Sequence, residues 1–310
     1  MPNAIIRNNL YLHCYQMKKT LLWLKIIRPQ TLFASLCPVI VGLLVTPSFS
    51  WGIGLLTLLC ALALQVLSNL INDYYDFKRG ADKAGRVGFK RALAEGEVCI
   101  GQMRTAIFIT LGIALLSGLL LTISAGIDDG TFHLAGCLPI LAVGLTALLF
   151  AWLYTATNHS LSYLGIADIF VFLYYGVIAT AGTYYLQTHT FSWQSFHAGA
   201  VCGLISMCVL IINNLRDLAS DKAVGKKTFP VRFGKRAGEI GMLVVVLLMP
   251  LFAYLAFGFS LPMAIVFAGL LLFAKTMKAE GGQYNKCLLS AGIVNVIYVF
   301  LVVIFCFFNI

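Results

Sequence analysis

The sequence predicts an all-α integral membrane protein, with nine transmembrane helices around a central cavity, arranged as two related four-helix halves plus one. Three observations carry this expectation. The chain is 60% hydrophobic and only 11% charged over 310 residues, whereas a soluble domain carries about a quarter charged residues. Its apolar runs reach the roughly 20 residues that cross a bilayer, and they lack the two-residue alternation of a barrel strand, which leaves helices. The 22 Lys and Arg residues fall into four groups, 7–28, 78–104, 216–236 and 275–286. With nine spans and an inside N-terminus, all four groups share one side. The loops near 48–50, 127–132, 187–194 and 257–260 hold no Lys or Arg, which is the positive-inside pattern.

Taken in order, residues 1–28 are polar, aromatic and basic and form a cytoplasmic or interfacial segment; Met17 offers a second possible start, and Leu21–Ile27 reads as a short amphipathic helix. A single transmembrane domain covers 29–310. Arg28-Pro29 opens the first span, since proline suits a first helical turn. The expected spans are 29–47, 51–72, 105–126, 133–154, 163–186, 195–216, 238–257, 259–276 and 286–309. The loop after the second span mixes Lys78, Arg79, Lys83, Arg86, Lys90 and Arg91 with acids and with Gly80, Gly85, Gly88 and Gly96, which suits a cap that handles phosphate. Tyr154 closes the fourth span, where an aromatic belt residue is ordinary. Asp168 lies about one turn inside the fifth span, and an ionisable group there is a functional hypothesis by default. Lys222 and the run Gly225-Lys226-Lys227-Thr228 follow the sixth span; without an upstream glycine or strand this is no Walker loop. The nine cysteines are scattered and read as small apolar residues. The net charge of +10 is confined to one side of the spans, so it points to a membrane surface and not to nucleic acid.

Two polar stretches interrupt this pattern. Asn72-Asp73-Tyr74-Tyr75-Asp76, followed by Asp82, closes the second span; Asn213-Asn214-Leu215-Arg216-Asp217, followed by Asp221, closes the sixth. Asn72 and Asp76, Asn213 and Asp217, and Asp217 and Asp221 are each four apart, so each set shares a helix face. The two stretches stand 141 positions apart in one register. Carboxylate and amide oxygens are the ligands of a hard cation such as Mg²⁺, which typically takes one or two carboxylates plus phosphate oxygens. Two facing ladders can therefore hold a diphosphate through bridging metal ions, with Asp76, Asp82, Asp217 and Asp221 as the expected metal ligands.

On these motifs the chain resembles the UbiA superfamily of intramembrane aromatic prenyltransferases, and within it the branch that prenylates 1,4-dihydroxy-2-naphthoate in menaquinone synthesis. The resemblance covers about 25–310 and rests on the stretch Asn72 to Asp82, on Asn213 through Asp221 to Thr228, and on Arg28-Pro29-Gln30-Thr31, Tyr163 to Phe170 and Gly182-Thr183-Tyr184-Tyr185. The five-residue gap between Asp76 and Asp82 suits this branch. Phe89 departs from it, standing after Gly88 where the branch usually has proline. The resemblance implies a bacterial inner-membrane enzyme with a polyprenyl diphosphate donor, an aromatic acceptor, Mg²⁺, and a site open to the cytoplasm. It further implies transfer of the prenyl group with loss of CO₂. The expected catalytic set is Asn72, Asp76, Asp82, Asp217 and Asp221. Asp73, Lys90, Arg91, Asn213, Arg216, Lys222 and Lys226 are expected to bind substrate. Arg28 is the candidate for the acceptor carboxylate, and Tyr154 and Asp168 for positioning the acceptor. Homogentisate or 4-hydroxybenzoate is the alternative acceptor. A transporter is the alternative of another class, although transporters place their acids near the midplane rather than at span ends.

Overall fold

A computed structural model describes residues 20–80, 91–128, 130–155 and 167–308. Asp82, Lys90 and the rest of 81–90 lie outside them, as do Met17 and the side chain of Tyr154.

Helix α1 (Thr20–Ile27) meets α2 (Pro29–Leu44) at a bend of 55°. Helices α3 (Trp51–Lys78) and α4 (Ile100–Ala125) follow. A small hairpin, β1 (Ile127–Asp128) with β2 (Thr131–Phe132), leads into α5 (Leu134–Thr155). Helix α6 (Ala167–Thr188) contains a π-helical turn at Leu173–Val177. Helix α7 (Trp193–Arg216) is followed by two short helices, α8 (Leu218–Ala223) and α9 (Phe229–Phe233). Helices α10 (Lys235–Phe257), α11 (Leu261–Met277) and α12 (Gln283–Phe308) complete the chain.

Each expected span has a helix at its place. Among the described residues six helices have the length and apolarity to cross a membrane, and a seventh arises if α1 and α2 are one bent span. Leu134–Phe150 within α5, and α11, are apolar but shorter. Nine crossings therefore stay an expectation, while an integral membrane protein is established. The outer faces agree: Phe108, Leu116, Leu247, Leu271 and Phe300 are exposed large apolar side chains on α4, α10, α11 and α12, an arrangement that lipid satisfies and water does not.

Helix α7 runs through the centre. Its Val201, Cys202, Ile205, Cys208 and Ile212 are wholly buried against α10 and α12. On its other side α6 approaches backbone to backbone. A Cβ on Gly176 would stand 2.4 Å from the Cα of Gly203, and one on Gly203 would meet the Phe172 carbonyl oxygen at 2.4 Å. Small residues at such crossings let helices pack closely where no hydrophobic effect drives them together. Thr180 on α6 donates to the Pro38 carbonyl of α2 at 2.9 Å, so α2, α6 and α7 form one rigid wall.

A smaller apolar cluster governs the other end of the molecule. Ile26 of α1, Leu70 of α3, and Ala92, Leu93, Val98 and Met103 are buried together. This cluster clamps α1 and the 91–98 turn onto the end of α3 that carries Asn72–Asp76. The expected amphipathic segment is helical, with Leu21 and Leu24 exposed.

Candidate active site

The helices enclose a cavity of about 660 Å³ that reaches from the acidic end of α3 deep into the bundle. Asp76 and Thr57 both line it, and the nineteen helical steps of α3 from one to the other span about 28 Å, close to the thickness of the hydrocarbon core. Its far part is apolar in effect. Leu64, Leu119, Leu148, Val171 and Ile178 line it, and the hydroxyls of Thr57, Thr122 and Thr183 bond back to their own helices at 2.6–2.9 Å. Its mouth is polar and charged.

At the mouth, α3 continues six residues past the expected span end, to Lys78, so Asn72, Asp73 and Asp76 sit inside a helix. Asp73 is buried and does not line the cavity. It pairs with Arg28 Nη2 and, at 2.7 Å, with Arg91 Nη1. Both arginines line the cavity. One carboxylate thus joins two guanidiniums whose residues both face the cavity. Arg28 occupies the left-handed region at φ 58°, uncommon for a residue other than glycine and worth about 1–2 kcal/mol of strain. The α1–α2 corner is held there by a polar web. Thr31 donates to the Arg28 carbonyl at 2.9 Å, and Asn69 of α3 donates to the Ile27 carbonyl at 3.1 Å and to Thr31 at 3.0 Å.

The second acidic stretch is not one helix face. Helix α7 stops at Arg216, and Asp217 is the junction from which α8 starts, its carbonyl accepting from Asp221 N at 2.8 Å. Arg216 grips both Asp217 oxygens, at 2.8 and 2.7 Å, and reaches Asn285 of α12 at 3.0 Å. Gly225 then turns with φ 76°, and Lys226 N bonds back to the Asp221 carbonyl at 2.9 Å, a glycine-dependent helix stop. This turn swings the Lys226 ammonium to 3.5 Å from Asp221 and 4.0 Å from Asp76. The two stretches meet at that lysine.

Burial is the main cause that pushes the Asp221 carboxyl above the usual carboxylate range; Lys226 lowers it, and the charges of Asp217 and Asp76 raise it further. Asp76 Oδ1 is buried with no hydrogen-bond partner among the described residues, as is the Thr228 hydroxyl in the cavity wall. A carboxylate oxygen buried without a donor suits a cation. Among the described residues no cage of three or more acidic, His or Cys ligands stands ready for one. Asp76, Asp221 and the amide oxygens of Asn72 and Asn213 are the groups that fit, all of them lining the cavity. Asp217 lines the cavity as well, with one hydrogen bond from Arg216 on each of its oxygens, each of which carries two lone pairs.

Of the other expected site residues, Asp168 lines the cavity. Lys222 is exposed and does not line it. Asp82, Lys90 and the Tyr154 side chain lie outside the described residues. The sequence reading passed over Gln65, Asn69, Thr228 and Asn285. The first two had a legible signal: Gln65, Asn69, Asn72 and Asp76 continue one polar stripe down α3 at helical spacing.

Comparison with known proteins agrees with this geometry. A model of the "UbiA prenyltransferase family" matches residues 35–287. The 1,4-dihydroxy-2-naphthoate octaprenyltransferase of Escherichia coli (strain K12) is 37% identical over 227 residues, 71% of each chain. That of Haemophilus influenzae is 31% identical over 245 residues, 77% of this chain and 78% of its relative. A UbiA homolog from Archaeoglobus fulgidus, solved with GPP and Mg²⁺, superposes with a TM-score of 0.65 at 18% identity, over 91% of this chain and 99% of the other; it shares the fold. A transporter reading falls with these findings. The acidic mouth, the apolar cavity and the matched sequence lead to one conclusion: the chain belongs to the UbiA prenyltransferase family and is a membrane prenyltransferase.

Proposed function

We propose that the protein transfers a polyprenyl group from a polyprenyl diphosphate to 1,4-dihydroxy-2-naphthoate, with loss of CO₂, to give the prenylated naphthalenediol of menaquinone synthesis. The observation that carries this reading is the division of one cavity into a charged mouth and a deep apolar interior. A prenyl tail suits the interior, and its diphosphate suits the mouth. The relatives named for this activity support the choice of acceptor.

Lys226 and the Thr228 hydroxyl face the diphosphate in this reading, and Asp76, Asp221, Asn72 and Asn213 hold Mg²⁺. When bound, Mg²⁺ supplies positive charge to the departing diphosphate. The allylic carbon–oxygen bond breaks with its electron pair going to the diphosphate. The apolar wall keeps water from the resulting allylic cation. The ring carbon bearing the carboxylate attacks that cation, and the bond to the carboxylate then breaks, its pair returning to the ring as CO₂ leaves. Arg28 and Arg91, which meet at Asp73 and line the cavity, offer the carboxylate its counter-ion until then. Asp168 positions the acceptor from the α6 side.

Incubating membranes with geranylgeranyl diphosphate, Mg²⁺ and each of three acceptors tests the proposal. Mass spectrometry is expected to find product from 1,4-dihydroxy-2-naphthoate; product from homogentisate or 4-hydroxybenzoate alone would overturn it. The mouth is proposed to face the cytoplasm, because the basic groups lie at that end. Cysteine labelling should then reach 216–236 from inside and the C-terminus from outside.

A further inference from the structure

The polar web behind Arg28 has a direction, and that direction leaves one atom over. The Thr31 hydroxyl has a single hydrogen, which goes to the Arg28 carbonyl, so Thr31 Oγ1 can only accept from its other neighbours. Both hydrogens of the Asn69 amide are used, on the Ile27 carbonyl and on Thr31. Both hydrogens of the Gln65 amide are used as well, on Thr31 Oγ1 at 3.3 Å and on Asn69 Oδ1 at 3.4 Å. Two backbone carbonyls, which can only accept, thus set the sense of every bond, and neither amide can be flipped without facing acceptor to acceptor. What remains is Gln65 Oε1. Gln65 is 6% exposed and lines the cavity, and among the described residues its Oε1 has no partner. A buried acceptor without a donor is costly and rare in native proteins.

We propose that Gln65 Oε1 accepts a hydrogen bond from a ring hydroxyl of the aromatic acceptor, so that the site takes the hydroquinone and discriminates against the quinone. This rests on the reading above that the acceptor is a dihydroxyaryl acid. A phenol donates to an amide oxygen. A quinone carbonyl or a carboxylate only accepts, and opposite Gln65 Oε1 it meets a second acceptor. The carboxylate is drawn instead to Arg28, whose carbonyl anchors the same web. The cavity wall therefore presents a hydrogen-bond acceptor at Gln65 and a cation at Arg28, the two kinds of group that the hydroxyl and the carboxylate of a phenolic acid need. A hydrogen bond from the phenol to a neutral oxygen also pushes electron density into the ring, which favours its attack on the allylic cation. A site built to bond a substrate hydroxyl rejects an analogue lacking it more strongly than shape alone can.

The test uses the full-length protein in nanodiscs, with 1,4-dihydroxy-2-naphthoate and its 1,4-dimethoxy ether as competing ligands. Wild type should bind the diol at least about tenfold more tightly than the ether. Gln65→Met, similar in length but with no oxygen, should raise the acceptor KM about tenfold, leave the donor KM within twofold, and shrink the diol-to-ether ratio towards one. The quinone of the same acid should inhibit wild type weakly and Gln65→Met relatively better. An unchanged acceptor KM, or equal losses towards donor and acceptor, would overturn the proposal. Should Gln65→Met fail to fold, the wild-type ratio decides: equal binding of diol and ether refutes it. If wild type prenylates a different phenolic acid and no naphthoate, the proposed function fails. The hydroxyl-to-methoxy ratio of that acid then still decides the role of Gln65.

Discussion

The two acidic stretches read as copies in sequence and differ in structure. The first stays inside the continuous α3, so Asn72, Asp73 and Asp76 keep helical register. The second straddles the break between α7 and α8 at Asp217. Yet they end in the same division of labour. In each, one carboxylate is held by arginine, Asp73 by Arg28 and Arg91, Asp217 by Arg216. In each, the other faces Lys226, which stands between Asp76 and Asp221. What matters to the chemistry is therefore the pairing across the mouth, and not the local backbone that presents each acid. The arginine clamps are unequal. Asp73 answers two cations brought by separate segments, while Asp217 answers its own neighbour, which has a second anchor in Asn285.

The comparison can be broken most sharply at the lysine-facing pair. Asp76→Asn and Asp221→Asn should each lower kcat/KM by about 10³-fold, and the double variant should lose far less than the product of the two, because both act on one charge centre. A variant of either residue with near-wild-type turnover would end the equivalence of the stretches. A chelator should abolish turnover and added Mg²⁺ should restore it, read by the same product assay; full activity in chelator would remove the metal from both ladders. The clamps sharpen the contrast through stability. Asp73→Ala removes the carboxylate that two partly buried arginines share and should cost about 3 kcal/mol, whereas Asp217→Ala removes a pairing within one segment and leaves Arg216 bonded to Asn285, and should cost about 1 kcal/mol. Thermal unfolding in detergent measures both, and the reverse order would mean that Arg216 depends on Asp217 alone. Asp217→Ala should nonetheless lose most of its activity while still folded. The smallest effect is expected at Arg28. Arg28→Ala should raise the acceptor KM about tenfold with little change for the donor, since Arg91 stays at Asp73; equal weakening towards both substrates would assign Arg28 to the diphosphate.

Composition, run length and the grouping of Lys and Arg between apolar runs determined the membrane bundle without any tertiary contact, because lipid imposes its constraints on each segment separately. The acids of the mouth were legible for a related reason: charged and amide groups at the ends of apolar spans are costly and stand out. The sequence could not decide which acid answers which cation. Arg28 and Arg91 reach Asp73 across 45 and 18 positions, and Lys226 reaches Asp76 across 150, and only the packing of α1 and the 91–98 turn onto α3, with the turn at Gly225, brings them there. The same limit hid what Gln65 does, although helical spacing places it on the polar stripe of α3. Mid-span, it reads as a tolerated polar residue of α3; its one unpartnered oxygen becomes visible only when Thr31 and Asn69 arrive to use up its hydrogens. Hydrogen-bond direction is a property of the assembled web, set by backbone carbonyls far along the chain, and no local pattern of residues encodes it.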